Sequence, residues 1–169
     1  MRWVGDTMSE HLLKVLPQHP VAAELARFEW ALGLAFDAED AYVVTVKDLA
    51  ALPAEIWGNL RFALHPSVQL LDLAWNVIPV WQALDAEKVP PTAQENKAPC
   101  LVWRTDLNSH YRSLAIQEFQ ALQQIQAGVS FGRICEILFE TLGEAATQQT
   151  AQYLASWLEV GIINQIKTN

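Results

Sequence analysis

The chain has 169 residues, a net charge of −8 and 51% apolar side chains, enough for a packed core, which excludes general disorder. With 19 acidic against 11 basic side chains it repels a phosphate backbone on average, so nucleic acid is not an expected partner. No apolar run reaches the roughly 18 residues of a membrane span, and the opening MRWVGDTMSEHLL has neither a basic end nor an apolar stretch behind it, so neither a membrane nor a signal peptide is expected.

The first elements read as helices. Thr7 or Ser9 can cap a short helix through Val15 that Pro17 stops. Pro20 suits a first helical turn, and Leu25, Phe28, Leu32 and Phe36 follow at steps of three and four, an amphipathic helix. Residues 48–52 and 53–60 predict shorter helical turns. Leu70 to Trp75 is apolar apart from Asp72, and with Pro66 just upstream extended chain is expected. Asn76 can cap a helix over NVIPVWQAL.

Residues 85–99, DAEKVPPTAQENKAP, hold three of the eight prolines and one large apolar residue, Val89. Pro90-Pro91 cannot continue a helix, so the stretch predicts an exposed linker. The boundary falls there, between a mostly helical lobe (1–84) and a second lobe (100–169). CLVWRT and HYRSL flank Asp106-Leu107-Asn108-Ser109, the pattern of a β-hairpin. Ser113 can cap a helix over 114–127 that ends at Gly128. Ser130 can cap a second helix ending at Gly143, and Thr147 can open a third that Gly161 closes, before a short strand in GIINQI. The expectation is an α+β chain whose second lobe, a β-hairpin then three helices, is winged-helix-like.

No catalytic set emerges. His11, His19, His65 and His110 show no metal-ligand spacing, and Cys100 and Cys135, 35 residues apart, form no CxxC, so neither metal nor cofactor is expected and the default compartment is a reducing cytoplasm. There is no GxSxG and no phosphate-binding glycine motif. Cys135 and the carboxylates of Glu24 and Glu29 read as core thiol and solvated helix face. The chain is therefore not expected to be an enzyme. A DNA-binding regulator is the alternative, because the last two helices have helix-turn-helix order. The helix that would enter the groove, TQQTAQYLASWLEV, offers Gln148, Gln149 and Gln152 to bases but no cation, leaving Arg133 as the main phosphate anchor. The seven tryptophans suggest a large partner surface.

Four ordered segments carry a resemblance: RFEWALGLAFDAEDA (27–41), LHPSVQLL (64–71), IPVWQAL (78–84), and VWRTDLNSHYRSL (102–114) with EFQALQQIQAGVSFGRICEIL (118–138). Together they are similar to the C-terminal portion of the HvfC/BufC family, whose members are often labelled as DNA-binding proteins. That label belongs to an N-terminal helical domain for which this sequence shows no match. The resemblance implies a non-catalytic partner of a multinuclear iron-dependent oxidase, which modifies cysteines of ribosomally made precursor peptides. It also implies that Glu29, Trp30, His65, Pro66 and Trp81 support the lobe shape and an oxidase-facing, partner-binding surface, with Trp103 and Arg104 at a peptide-binding hairpin edge. A precursor peptide can add to such an edge by main-chain hydrogen bonds. The edge would come from 101–104 or 110–112, including Tyr111 and Arg112, and a pocket from Tyr153 and Trp157.

Overall fold

The computed structural model describes residues 2–168. Helix α1 (Arg2–Val15) packs along α2 (Pro20–Phe36), with Pro20 in its first turn as the sequence predicts. Thr7 and Ser9 lie inside α1 instead of capping it. Packing against α2 accounts for the difference: a β-carbon at Gly5 would run into the Trp30 ring, so the helix continues through a residue that permits that approach. Next come α3 (Val46–Ala50), a 3₁₀ turn (Ala54–Asn59), β1 (Arg61–Leu64), β2 (Gln69–Leu71) and α4 (Val77–Asp85). Thr45 and Asp48 form a capping box at α3.

The hairpin forms as expected from β3 (Cys100–Thr105) and β4 (Asn108–Ser113), turning on Asp106-Leu107 with Asp106 at φ 54°. Then follow α5 (Ile116–Gln126), α6 (Phe131–Leu142), α7 (Ala146–Glu159) and β5 (Ile163–Lys167). Gly128, Gly143 and Gly161 all take positive φ just beyond these helices. Ser113 is not a cap, because Leu114 is held by a bond from its N–H to Pro99 O that closes the hairpin, and α5 begins two residues later.

The fold is α+β, and its sheets cross the expected lobe boundary. One sheet has the order β2-β3-β4, all antiparallel, and the other pairs β1 with β5. An isolated two-stranded hairpin is marginal in water, and β2 supplies the third strand. Residues 92–98 extend that pairing. Asn76 N–H bonds to Gln94 O, Asn96 N–H to Ala74 O and Ala98 N–H to Leu73 O, while the Asn76 side chain bonds to Thr92 O and Gln94 N–H instead of capping α4. The 85–99 stretch is thus exposed over 85–97 but tied down, and it separates neither sheets nor cores.

Strand alternation explains the two cores. Cys100 and Val102 face one way, into a cluster with Phe28, Ala31, Leu73 and Val77. Leu101 and Trp103 face the other way, into a larger cluster with Phe62, Leu122, Ile134, Leu154 and Trp157. Strand β3 is buried on both faces, which is why CLVW reads as a continuous apolar run.

Candidate functional site

Arg104 ends the buried run of β3. Its guanidinium, 11% exposed, pairs with Asp40 at 2.6 Å and donates to Phe36 O, tying β3 to the end of α2. Its backbone N–H donates to Ser67 Oγ at 3.1 Å, and the Ser67 hydroxyl in turn lies 2.8 Å from His65 Nδ1. Because the Ser67 backbone N–H also donates to Nδ1, that nitrogen is an acceptor and the neutral ring carries its proton on Nε2. His65 is thus a buried joint between the 65–67 turn and β3, with Pro66 half-buried beside it, and not an exposed partner contact.

Burial, and then the Arg104 cation, lower the His65 pKa below its ordinary value near 6.5, against smaller opposing effects of the Ala41 backbone and Asp40. The unfolded chain then binds more protons than the folded one in that range. The stability from a neutral His65 is present above about pH 6.5 and is lost as pH falls below that range. Urea midpoints should drop between pH 7 and pH 5, and His65→Asn, which keeps an acceptor, should flatten that slope. An unchanged slope in the variant would remove His65 as its source. The Asp48 carboxyl, held low by bonds from Thr45 and Tyr42, contributes only at more acid pH.

Tyr153 and Trp157 do not form a peptide pocket. They stack at 6.0 Å in the larger core, where Trp157 is fully buried. The Trp157 indole N–H donates to Glu118 Oε1 at 2.9 Å, and Arg112 donates to both oxygens of the same carboxylate at 3.0 and 2.5 Å. Glu118 is buried, so Arg112 is committed to closing β4 onto α5 and α7. Trp103 is also core, stacked on exposed His110 and bonded to Thr105 Oγ1. In the smaller core, Phe28, Trp81 and Tyr111 meet edge to face at centroid distances of 5.1–5.5 Å, and Gln82 donates to the Tyr111 hydroxyl. Trp81 and Tyr111 therefore meet each other. Trp30 lies half-buried under α1, Glu29 is exposed on α2, and the two stand apart from that set.

Glu24 is a further correction. Its carboxylate accepts from the N–H groups of Ala74 and Trp75, just beyond β2, and is not a solvated helix charge. Arg133 is engaged by Glu136 at 2.8 Å and Glu140 at 3.9 Å, which weakens it as a phosphate anchor. Burial pushes the Cys100 thiol up to about 12 and raises that of Cys135, so neither is a poised nucleophile.

Two surfaces remain. β3 is central, so 101–104 offers no edge. β4 is the edge strand, and its pairing from Thr105↔Asn108 to the Leu114–Pro99 bond turns the backbone groups of Ser109, Tyr111 and Ser113 outward. Among the described residues no main-chain bond engages them. The other surface was not read from the sequence: an apolar groove of about 650 Å³ between α3, the 3₁₀ turn, α6 and α7, lined by Leu49, Trp57, Phe131, Cys135, Phe139 and Leu154 among others. The signal was present in α6, where Cys135 and Phe139 widen the apolar stripe of Phe131, Ile134 and Leu138 beyond what one core contact needs.

No protein-family model and no curated protein matches this chain. Among the described residues no cluster of histidine, cysteine and carboxylate could hold a metal, and no helix is long and apolar enough to cross a membrane.

Proposed function

We propose that this chain is a non-catalytic, cytoplasmic adaptor that binds a multinuclear iron-dependent oxidase and presents its ribosomally made precursor peptide. The observation that carries this reading is the unpaired outer edge of β4. A peptide laid antiparallel along Ser109, Tyr111 and Ser113 would complete a fourth strand by main-chain bonds. The hairpin followed by α5, α6 and α7 is consistent with a winged-helix-like peptide-recognition element, although β5 pairs with β1 and not with the hairpin. The sequence resemblance supplies the identity of the partner, and the edge supplies the means of capture.

Ser113→Pro tests the edge. It removes an outward N–H while sparing the ladder bonds to β3, and Ser113 is exposed at the strand end. Co-expression with a multinuclear iron oxidase and its precursor, followed by pull-down, should recover a complex of all three. Ser113→Pro should weaken precursor retention about tenfold, the scale of one or two lost main-chain bonds, with an unchanged melting temperature and normal oxidase capture. Normal precursor retention in a well-folded variant would exclude the β4 edge.

A further inference from the structure

We propose that the groove between α6 and α7 is a docking site for an amphipathic helix with a basic polar face, presented by a partner protein. This proposal is separate from the β4 edge and does not rest on the adaptor reading. The shape argues for a helix. Lining positions on α7 run from Ala146 to Leu158, about 18 Å of helix, so the groove is a trough along three turns and not a compact hole. Its α7 wall is small where it is open: Ala151 and Ala155 are exposed and leave room for side chains of a visiting helix, while Phe139 (57% exposed) and Val46 (62%) stand at its sides.

Polarity argues against an extended peptide. The walls are mainly helical, and beyond the first turns their main-chain groups are paired within the helices. The buried hydroxyl of Thr150 is spent on Ala146 O at 2.7 Å. A strand laid there would leave its own N–H and C=O groups without partners, whereas a helix satisfies them internally. Charge selects the face. The four groove-forming elements carry Lys47 and Arg133 against Asp48, Glu55, Glu136, Glu140 and Glu159, and Arg133 is already held by Glu136 and Glu140. Glu136 is the charged residue in the groove lining, Glu140 follows one turn along α6, and one arginine between two glutamates leaves that side net acidic, which favours lysine and arginine flanking the buried stripe.

Two synthetic peptides test this, each an amphipathic helix of about 14 residues, roughly 20 Å long. One is built of leucine and lysine, the other of leucine and glutamate in the same pattern. In calorimetric titration of the full chain, the lysine peptide should bind saturably at one to one and the glutamate peptide at least tenfold more weakly. Ala151→Trp, which fills the trough from an exposed position, should cost the lysine peptide tenfold or more. Phe139→Asp should also weaken it, and serves if the tryptophan variant misfolds. Glu136→Lys with Glu140→Lys should weaken it several-fold, with a smaller difference at high salt. Four results would each overturn the proposal. These are no saturable binding, equal binding of both peptides, indifference to both groove variants, and a chain dimer that Ala151→Trp dissolves, since a second copy would then be the occupant.

Discussion

Glu118→Ala should lower the stability of the chain by about 3 kcal/mol, a fall in melting temperature of roughly 10 °C. The carboxylate is buried among α5, α7 and β4 and accepts three hydrogen bonds, two from Arg112 and one from the Trp157 indole. The partners fare differently when it is removed. The Arg112 side chain is 31% exposed and can turn toward water, so its share of the cost is discounted. Trp157 is fully buried and its N–H loses its acceptor. Glu118→Gln retains an oxygen for the indole and should cost only about 1.5 kcal/mol. If the alanine variant unfolds like the parent, the three-bond network is not a significant part of the fold's stability. If glutamine and alanine cost the same, the loss lies in the charge pair and not in the indole bond.

The parts of this fold that the sequence discloses are those where one local signal decides. Pro20 opens α2, Gly128, Gly143 and Gly161 lie just past helix ends, and Asp106-Leu107 turns the hairpin. Where a side chain has a choice of partner, tertiary contacts decide and local reading fails. Asn76 reads as a helix cap, yet its amide binds residues 92 and 94 across the sheet. Ser130 precedes α6 but makes no cap bond, and the Phe131 N–H is taken by Leu60 O. The Thr45–Asp48 capping box was legible as T-x-x-D before an apolar residue. The candidate site divides the same way. Tyr111 and Trp103 were recognisable as aromatics of a hairpin, but strand alternation sends them to opposite cores, and only the order β2-β3-β4 shows which strand has a free edge. Trp157 could not be assigned from its own helix, because the carboxylate that fixes it lies 39 residues away in sequence.

The proline-rich stretch is the case where composition points away from the packing, and Phe28→Ala tests that packing directly. Phe28 has no exposed surface and meets Trp81 of α4 and Tyr111 of β4 edge to face at 5.4 and 5.1 Å. Truncation deletes both ring contacts and leaves a cavity, at about 4 kcal/mol, again roughly 10 °C in melting temperature. The two sides of this cluster come from either side of residues 85–99. Cys100 and Val102 of β3 complete it, while the next residues along the same strand, Leu101 and Trp103, complete the other core. A strand shared by both cores couples them. Phe28→Ala and Glu118→Ala, one in each core, should therefore each move a single unfolding transition, seen alike by calorimetry and by urea followed at near- and far-ultraviolet wavelengths. In lobes folding separately as 1–84 and 100–169, Phe28→Ala would instead split the melt, leaving an unshifted upper transition. Limited proteolysis gives a second view. Residues 85–91 are exposed and precede the bonds that bind 92–98 to 73–76, so a cut there should leave both fragments associated through β2–β3 and β1–β5. Fragments that separate without denaturant would restore the linker as a true boundary.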